Sequence, residues 1–144
     1  MSVQRLSHVG LCVSDLERSL AFYRDALGFR EVARIDASGE ESETLLQIPD
    51  VDVCAVFLER DGVRIELLHY RTPGHRGTGE PRPMNALGLT HLSLRVDDLD
   101  APLAALERDG AHVLHATRTA HAAFVTDPDG IRIELVAARL PGDG

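Results

Sequence analysis

An α+β fold built from two copies of a βαβββ unit is what this sequence predicts, and three observations carry the prediction. The first is a repeated opening: residues 6–20 read LSHVGLCVSDLERSL and residues 89–103 read LTHLSLRVDDLDAPL. The second is a repeated close, DGVRIELL at 61–68 and DGIRIELV at 129–136. Self-similarity of this kind, in the same order at both ends of both halves, is the signature of a duplicated structural unit. The third is that each half carries the same succession of period-two and helix-period segments between those ends.

In the first half SHVGLCV alternates and is β-branched, which makes residues 7–13 a strand. Ser14 and Glu17 form a capping-box pattern. Leu16, Leu20, Tyr23 and Leu27 then recur at helical spacing, and Gly28 supplies the stop. Phe22 and Tyr23 belong to the packing face of that helix. Residues 30–36, 51–59 and 63–69 read as three strands, the last two joined by an Asp61-Gly62 hairpin turn. The polar stretch 37–44 reads as a mobile hairpin tip.

The second half predicts a strand at 90–96 and a helix at 100–109 stopped by Gly110. Strands near 112–118, 121–126 and 131–137 follow, with Asp127-Pro128-Asp129-Gly130 as the last turn. Residues 1–70 therefore form one unit and 89–138 the other. A Pro-, Gly- and Arg-rich linker spans 71–88, and a short tail spans 139–144. The opening histidines are 83 residues apart and the closing glutamates 68, so the first half holds 15 extra residues.

Composition excludes several classes of function. Apolar residues make up 44% and charged residues 26% of the chain, enough to bury a core. The formal net charge of −8 makes nucleic acid a poor partner, because phosphate backbones require clustered cations. No run of about 18 apolar residues predicts a membrane span, and the N-terminus lacks a secretory pattern. Cys12 and Cys54 are too few for a disulfide framework. A cytoplasmic protein is expected. All 15 basic residues are arginine, so Schiff-base lysine chemistry is excluded.

Strand parity assigns faces. Val9, Leu11 and Val13 share one face of the first strand, and His8, Gly10 and Cys12 the other. Leu92, Leu94 and Val96 oppose His91, Ser93 and Arg95. In the closing strands Ile65 and Leu67 oppose Arg64 and Glu66, as Ile133 and Leu135 oppose Arg132 and Glu134. The helices cover the apolar set. His8, Glu66, His91 and Glu134 fall on the opposite faces. A single histidine or glutamate in such a place is ordinarily just solvated, but four at equivalent repeat positions make a metal-site constellation. Imidazole and carboxylate together suit one divalent ion such as Zn, Ni, Co, Mn or Fe. Arg64, Arg95 and Arg132 share that parity and are candidates to meet an anionic substrate. Cys12 also shares it, whereas His69 has core parity. His112, His115 and His121 lack ligand spacing, and residues 82–85 are candidates for a rim over the site.

SHVGLCVSDLERSLAFYRDALGF, RIELLHY, GLTHLSLRVDDLDA and DPDGIRIELV resemble the vicinal oxygen chelate superfamily. It contains glyoxalase I, methylmalonyl-CoA epimerase, extradiol dioxygenases and the fosfomycin and bleomycin resistance proteins. The resemblance covers nearly the whole chain. It implies paired βαβββ units forming a cupped mixed sheet, helices outside, with a metal held by His8, Glu66, His91 and Glu134. The His-Glu-His-Glu order resembles bacterial glyoxalase I. The implied activity is that of a metal-dependent lyase or isomerase moving a proton beside a carbonyl, with Glu134 as base and Glu66 as its partner.

Methylmalonyl-CoA epimerase is the rival resemblance. Its support is the long linker and Ile48-Pro49-Asp50-Val51, where Asp50 falls about where that enzyme carries a second base. Glu66 stands against it, since the epimerase usually has Gln there. A third expectation is a resistance-type protein that binds a small molecule without chemistry. Family resemblance further implies a homodimer acting on a small-molecule substrate, and an intrachain site is favoured over one shared between chains.

Overall fold

The computed structural model describes residues 1–143. The chain divides into two compact units, Met1–Arg76 and Gly77–Gly144. The first contains β1 (Val9–Cys12), α1 (Leu16–Leu20), β2 (Arg30–Ser38), α2 (Glu40–Leu46), β3 (Asp52–Arg60) and β4 (Val63–Thr72). The second contains β5 (His91–Arg95), α3 (Asp100–Arg108), β6 (His112–Leu114), β7 (Ala122–Thr126) and β8 (Arg132–Val136).

Each unit is one four-stranded mixed sheet. The strand orders are β1-β4-β3-β2 and β5-β8-β7-β6, the same topology twice. The opening strand runs parallel to the closing strand (β1 with β4, β5 with β8), and all other pairs are antiparallel. A parallel pair requires a crossover, which the helical segment and its two following strands provide. The α+β class and the duplicated βαβββ unit therefore stand as predicted.

Alternation within the strands builds each core. Leu58, Ile65 and Leu67 are fully buried in the first unit with Leu20 and Tyr23 of the helical segment. Val125, Ile133 and Leu135 are buried in the second, as are Leu103 and Leu106 of α3. Burying a side chain of that size contributes about 1.5–3 kcal/mol. The opposite parity of β4 and β8 stays partly exposed, and the candidate ligands lie there.

Four expectations need correction. The cap of α1 is Asp15 rather than Ser14: the Asp15 side chain accepts the Arg18 N–H at 3.0 Å, and Ser14 Oγ instead accepts from the Arg18 guanidinium at 3.2 Å. The helix then widens into a π-helical turn over Ala21–Ala26. Residues 37–44 are not a hairpin tip. β2 continues to Ser38, Gly39 turns the chain at φ +90°, and α2 follows with Glu40, Glu41 and Glu43 in its first turn, where the helix dipole favours acids. The strand expected near 112–118 ends at Leu114 and passes into a 3₁₀ turn at His115–Thr117. The Asp61-Gly62 turn does form, with φ of 51° and 76° as a two-residue hairpin requires. Among the described residues no helix is long and apolar enough to cross a membrane.

Candidate metal centre

The parallel pairings set the site. In the first unit Gly10 lies opposite Glu66, and His8 stands one residue before β1. In the second, Ser93 lies opposite Glu134, and His91 opens β5. Each histidine thus sits two residues ahead of its glutamate's partner. His8 Nε2 is 3.5 Å from Glu66 Oε1, and His91 Nε2 is 3.6 Å from Glu134 Oε1.

The other ring nitrogen is held the same way in both units. Ser7 Oγ lies 2.8 Å from His8 Nδ1, and Thr90 Oγ1 lies 2.8 Å from His91 Nδ1. In the tautomer whose Nδ1–H donates to the hydroxyl, Nε2 presents its lone pair beside the carboxylate, the usual arrangement for a ligating histidine. An aromatic edge fixes each ring plane. Phe57 pairs with Glu66 across β3–β4 and meets the His8 ring at 5.1 Å and 85°. Phe124 pairs with Glu134 across β7–β8 and meets His91 at 5.5 Å and 87°. Reading the sequence alone does not single out Ser7, Thr90, Phe57 or Phe124. The available signal is the Ser-His and Thr-His dipeptides of the two openings and a phenylalanine nine or ten residues before each glutamate.

The donor chemistry fits a divalent transition ion. Two ligands each about 2.1 Å from an ion, at angles between octahedral and tetrahedral, lie about 3.0–3.4 Å apart. The two Nε2–Oε1 separations are close to that range, and each pair offers one imidazole nitrogen and one carboxylate oxygen. His8 is brought to Glu66 and His91 to Glu134. Among the described residues no group of three or more His, Cys, Asp or Glu is assembled for a metal.

Asp50 is not gathered with the first pair. It is exposed at φ +53°, and its N–H donates to the Glu43 carboxylate. It lies seven residues from Phe57, the partner of Glu66, which is about 20 Å along an extended chain.

The three arginines already have partners. Arg64 pairs with Glu59 at 3.1 Å and Arg95 with Asp143 at 2.7 Å. Arg132 donates to the Arg82 carbonyl at 2.9 Å and lies over the Phe124 ring at 5.5 Å. Arg82 in turn donates to the Leu89 carbonyl, within the second unit. His115 pairs with Glu107 at 3.0 Å, away from the ligand rows. Near Glu66, burial pushes the Tyr70 hydroxyl up, with Cys12 and Glu66 adding to the shift. Phe22 and Tyr23 are buried, as expected of packing residues.

Comparison with known proteins identifies the family. A probable lactoylglutathione lyase of Vibrio parahaemolyticus is 33% identical over 149 aligned residues, covering 100% of this chain and 98% of that protein. An ethylmalonyl-CoA/methylmalonyl-CoA epimerase of Cereibacter sphaeroides is 34% identical over 112 residues, 78% of this chain and 75% of the relative. Among solved structures, a glyoxalase family protein of Bacillus cereus shares the fold with a TM-score of 0.80 at 22% identity, each chain covered to 94%. The model of the Glyoxalase/Bleomycin resistance protein/Dioxygenase superfamily matches residues 5–135, from before His8 to just past Glu134, and the chain belongs to that superfamily.

Proposed function

We propose that the protein is a divalent-metal-dependent isomerase or lyase of the glyoxalase I type, moving a proton between adjacent carbons of a small carbonyl substrate. The observation that carries this reading is the twofold occurrence of one ligand-ready pair. In both units a histidine has Nδ1 against a hydroxyl and Nε2 beside a glutamate oxygen. The full-length similarity to a probable lactoylglutathione lyase supports the same conclusion.

In this reading His8, Glu66, His91 and Glu134 together hold one ion. When bound, the ion supplies Lewis-acid polarisation of the substrate oxygen. The remaining work belongs to the chain. Removing a proton beside a carbonyl needs a carboxylate within hydrogen-bond reach of that carbon. Glu134 meets this need, with His8, Glu66 and His91 retaining the ion. The histidines keep their orientation because Ser7, Thr90, Phe57 and Phe124 hold the rings.

Similarity to an acyl-CoA epimerase favours a second reading. Epimerisation needs a base on each face of the carbon, and Glu66 would join Glu134 in that role. Asp50, two residues before β3 opens and bonded to Glu43, is not gathered with the pair.

Protein loaded separately with Zn, Ni, Co, Mn or Fe(II) and offered hemithioacetals and acyl-CoA epimers in deuterated water separates these readings. Conversion of a hemithioacetal with metal present is the expected result. Exchange of only the acyl-CoA α-proton would establish epimerase chemistry instead. Tight ligand binding without proton exchange on any substrate would contradict catalysis.

A further inference from the structure

The two half-sites match in histidine, hydroxyl, phenylalanine and glutamate, and they differ at the position paired with the glutamate. The residue opposite the glutamate is Gly10 in the first unit and Ser93 in the second. Ser93 Oγ donates to Glu134 Oε1 at 2.9 Å, and this is the same oxygen that faces His91 Nε2. A carboxylate only accepts, so the hydroxyl is the donor. Gly10 has no side chain with which to do the same for Glu66. Space is not the reason: a Cβ at position 10 would meet Leu68 Cδ1 at 3.5 Å and Glu66 Oε1 at 3.6 Å, both ordinary contacts.

From this asymmetry we infer that Ser93 is a positioning residue that makes the two glutamates unequal, leaving Glu134 the looser ligand and the aligned base while Glu66 serves as the firm ligand. The inference rests on the proton-transfer reading above and adds Ser93 as the physical cause of the roles that reading gives the two glutamates. A hydroxyl on Oε1 draws on the same oxygen electrons that a cation would, which weakens the hold of Glu134 on the ion. It also supplies a charge-assisted hydrogen bond, stronger than a neutral one, that keeps the carboxylate from swinging away when it is not a ligand. Glu66, opposite a glycine, receives no such bond from its paired residue and would offer that oxygen to an ion unshared. Duplication alone would have produced two interchangeable carboxylates. Ser93 opposite Glu134, where Gly10 stands opposite Glu66, distinguishes them at the paired position.

Apo protein titrated with Co(II), followed by its visible absorption, reads the hold on metal separately from turnover, and steady-state rates read the base. Ser93→Ala is expected to bind Co(II) at least as tightly as the parent, with kcat lowered about 10-fold or more at unchanged KM, the scale on which such supporting bonds act. Ser93→Thr, which retains the hydroxyl, should restore most of the rate. Gly10→Ser should weaken Co(II) binding by giving Glu66 the donor it lacks. Parent-like kcat in Ser93→Ala, a loss that excess metal repairs, or unchanged Co(II) binding in Gly10→Ser would each overturn the inference. Glu134→Gln separates the two levels. If it retains the parent rate, the proton-transfer reading itself fails. If it is inactive while Ser93→Ala turns over normally, only the role of Ser93 is lost.

Discussion

His8 and His91 each have one ring nitrogen against a hydroxyl and the other beside a carboxylate, the arrangement that the proposed ligand role requires. In the proposed mechanism the carboxylates do different work, which gives the first prediction. Glu134→Gln keeps the shape and one oxygen ligand but removes basicity. It should retain most of the metal and lose at least about 100-fold in rate, the usual scale for a general base, whereas His8→Ala should lose metal and activity together. Metal content and turnover measured on the same preparations check both. A second prediction concerns Cys54. Burial, reinforced by the Asp36 carboxylate, pushes its thiol up. A raised thiol is ionised later in the folded chain than in the unfolded one, so its contribution to stability is complete below the unfolded thiol's range and declines as pH rises past about 8.5. The urea midpoint of the parent should therefore fall more steeply from pH 8 to pH 10 than that of Cys54→Ala.

The strands and their faces were legible because the same alternation occurs twice, and one half checks the other. Ile65 and Leu67 are buried with Ile133 and Leu135 as their parity requires, and Glu66 and Glu134 lie on the other side. What the sequence concealed is what the repeat does not contain. α2 has no counterpart in the second unit and no buried residue, so no hydrophobic period marks it; acids in its first turn and the turn at Gly39 are its only signals. Ser93 was equally hidden, since a serine gains meaning only once the register sets it across from Glu134. The Asp127–Gly130 turn, by contrast, announces itself, and it yields a third prediction. Asp127 Oδ1 accepts the N–H groups of Asp129 and Ile131, both at 2.8 Å. Gly130 sits at φ +81°, and a Cβ there would lie 1.9 Å from the Gly79 carbonyl oxygen. Gly130→Ala must move backbone and should cost at least about 2 kcal/mol in urea unfolding. Gly142→Ala, at φ +91° but with nothing within 4 Å, should cost only about 1 kcal/mol.

At the scale of the molecule, duplication gives two sheets of identical order, each with its opening strand at one edge. Such edges, together with exposed Leu6, Ile35, Leu87 and Leu89, invite a covering partner. The expected assembly is a symmetric homodimer, and light scattering at micromolar concentration should return twice the chain mass of 15.7 kDa. The proposed function requires that His8, Glu66, His91 and Glu134 serve a single ion, whereas each pair acting alone would hold its own. Metal stoichiometry tests it most directly. Apo protein equilibrated with Co(II) or Zn and freed of excess ion should hold one ion per chain. His8→Ala in one unit and His91→Ala in the other should each abolish that tight binding in full. Two tightly held ions per chain in the parent, or one variant that still holds its ion as the parent does, would contradict the account.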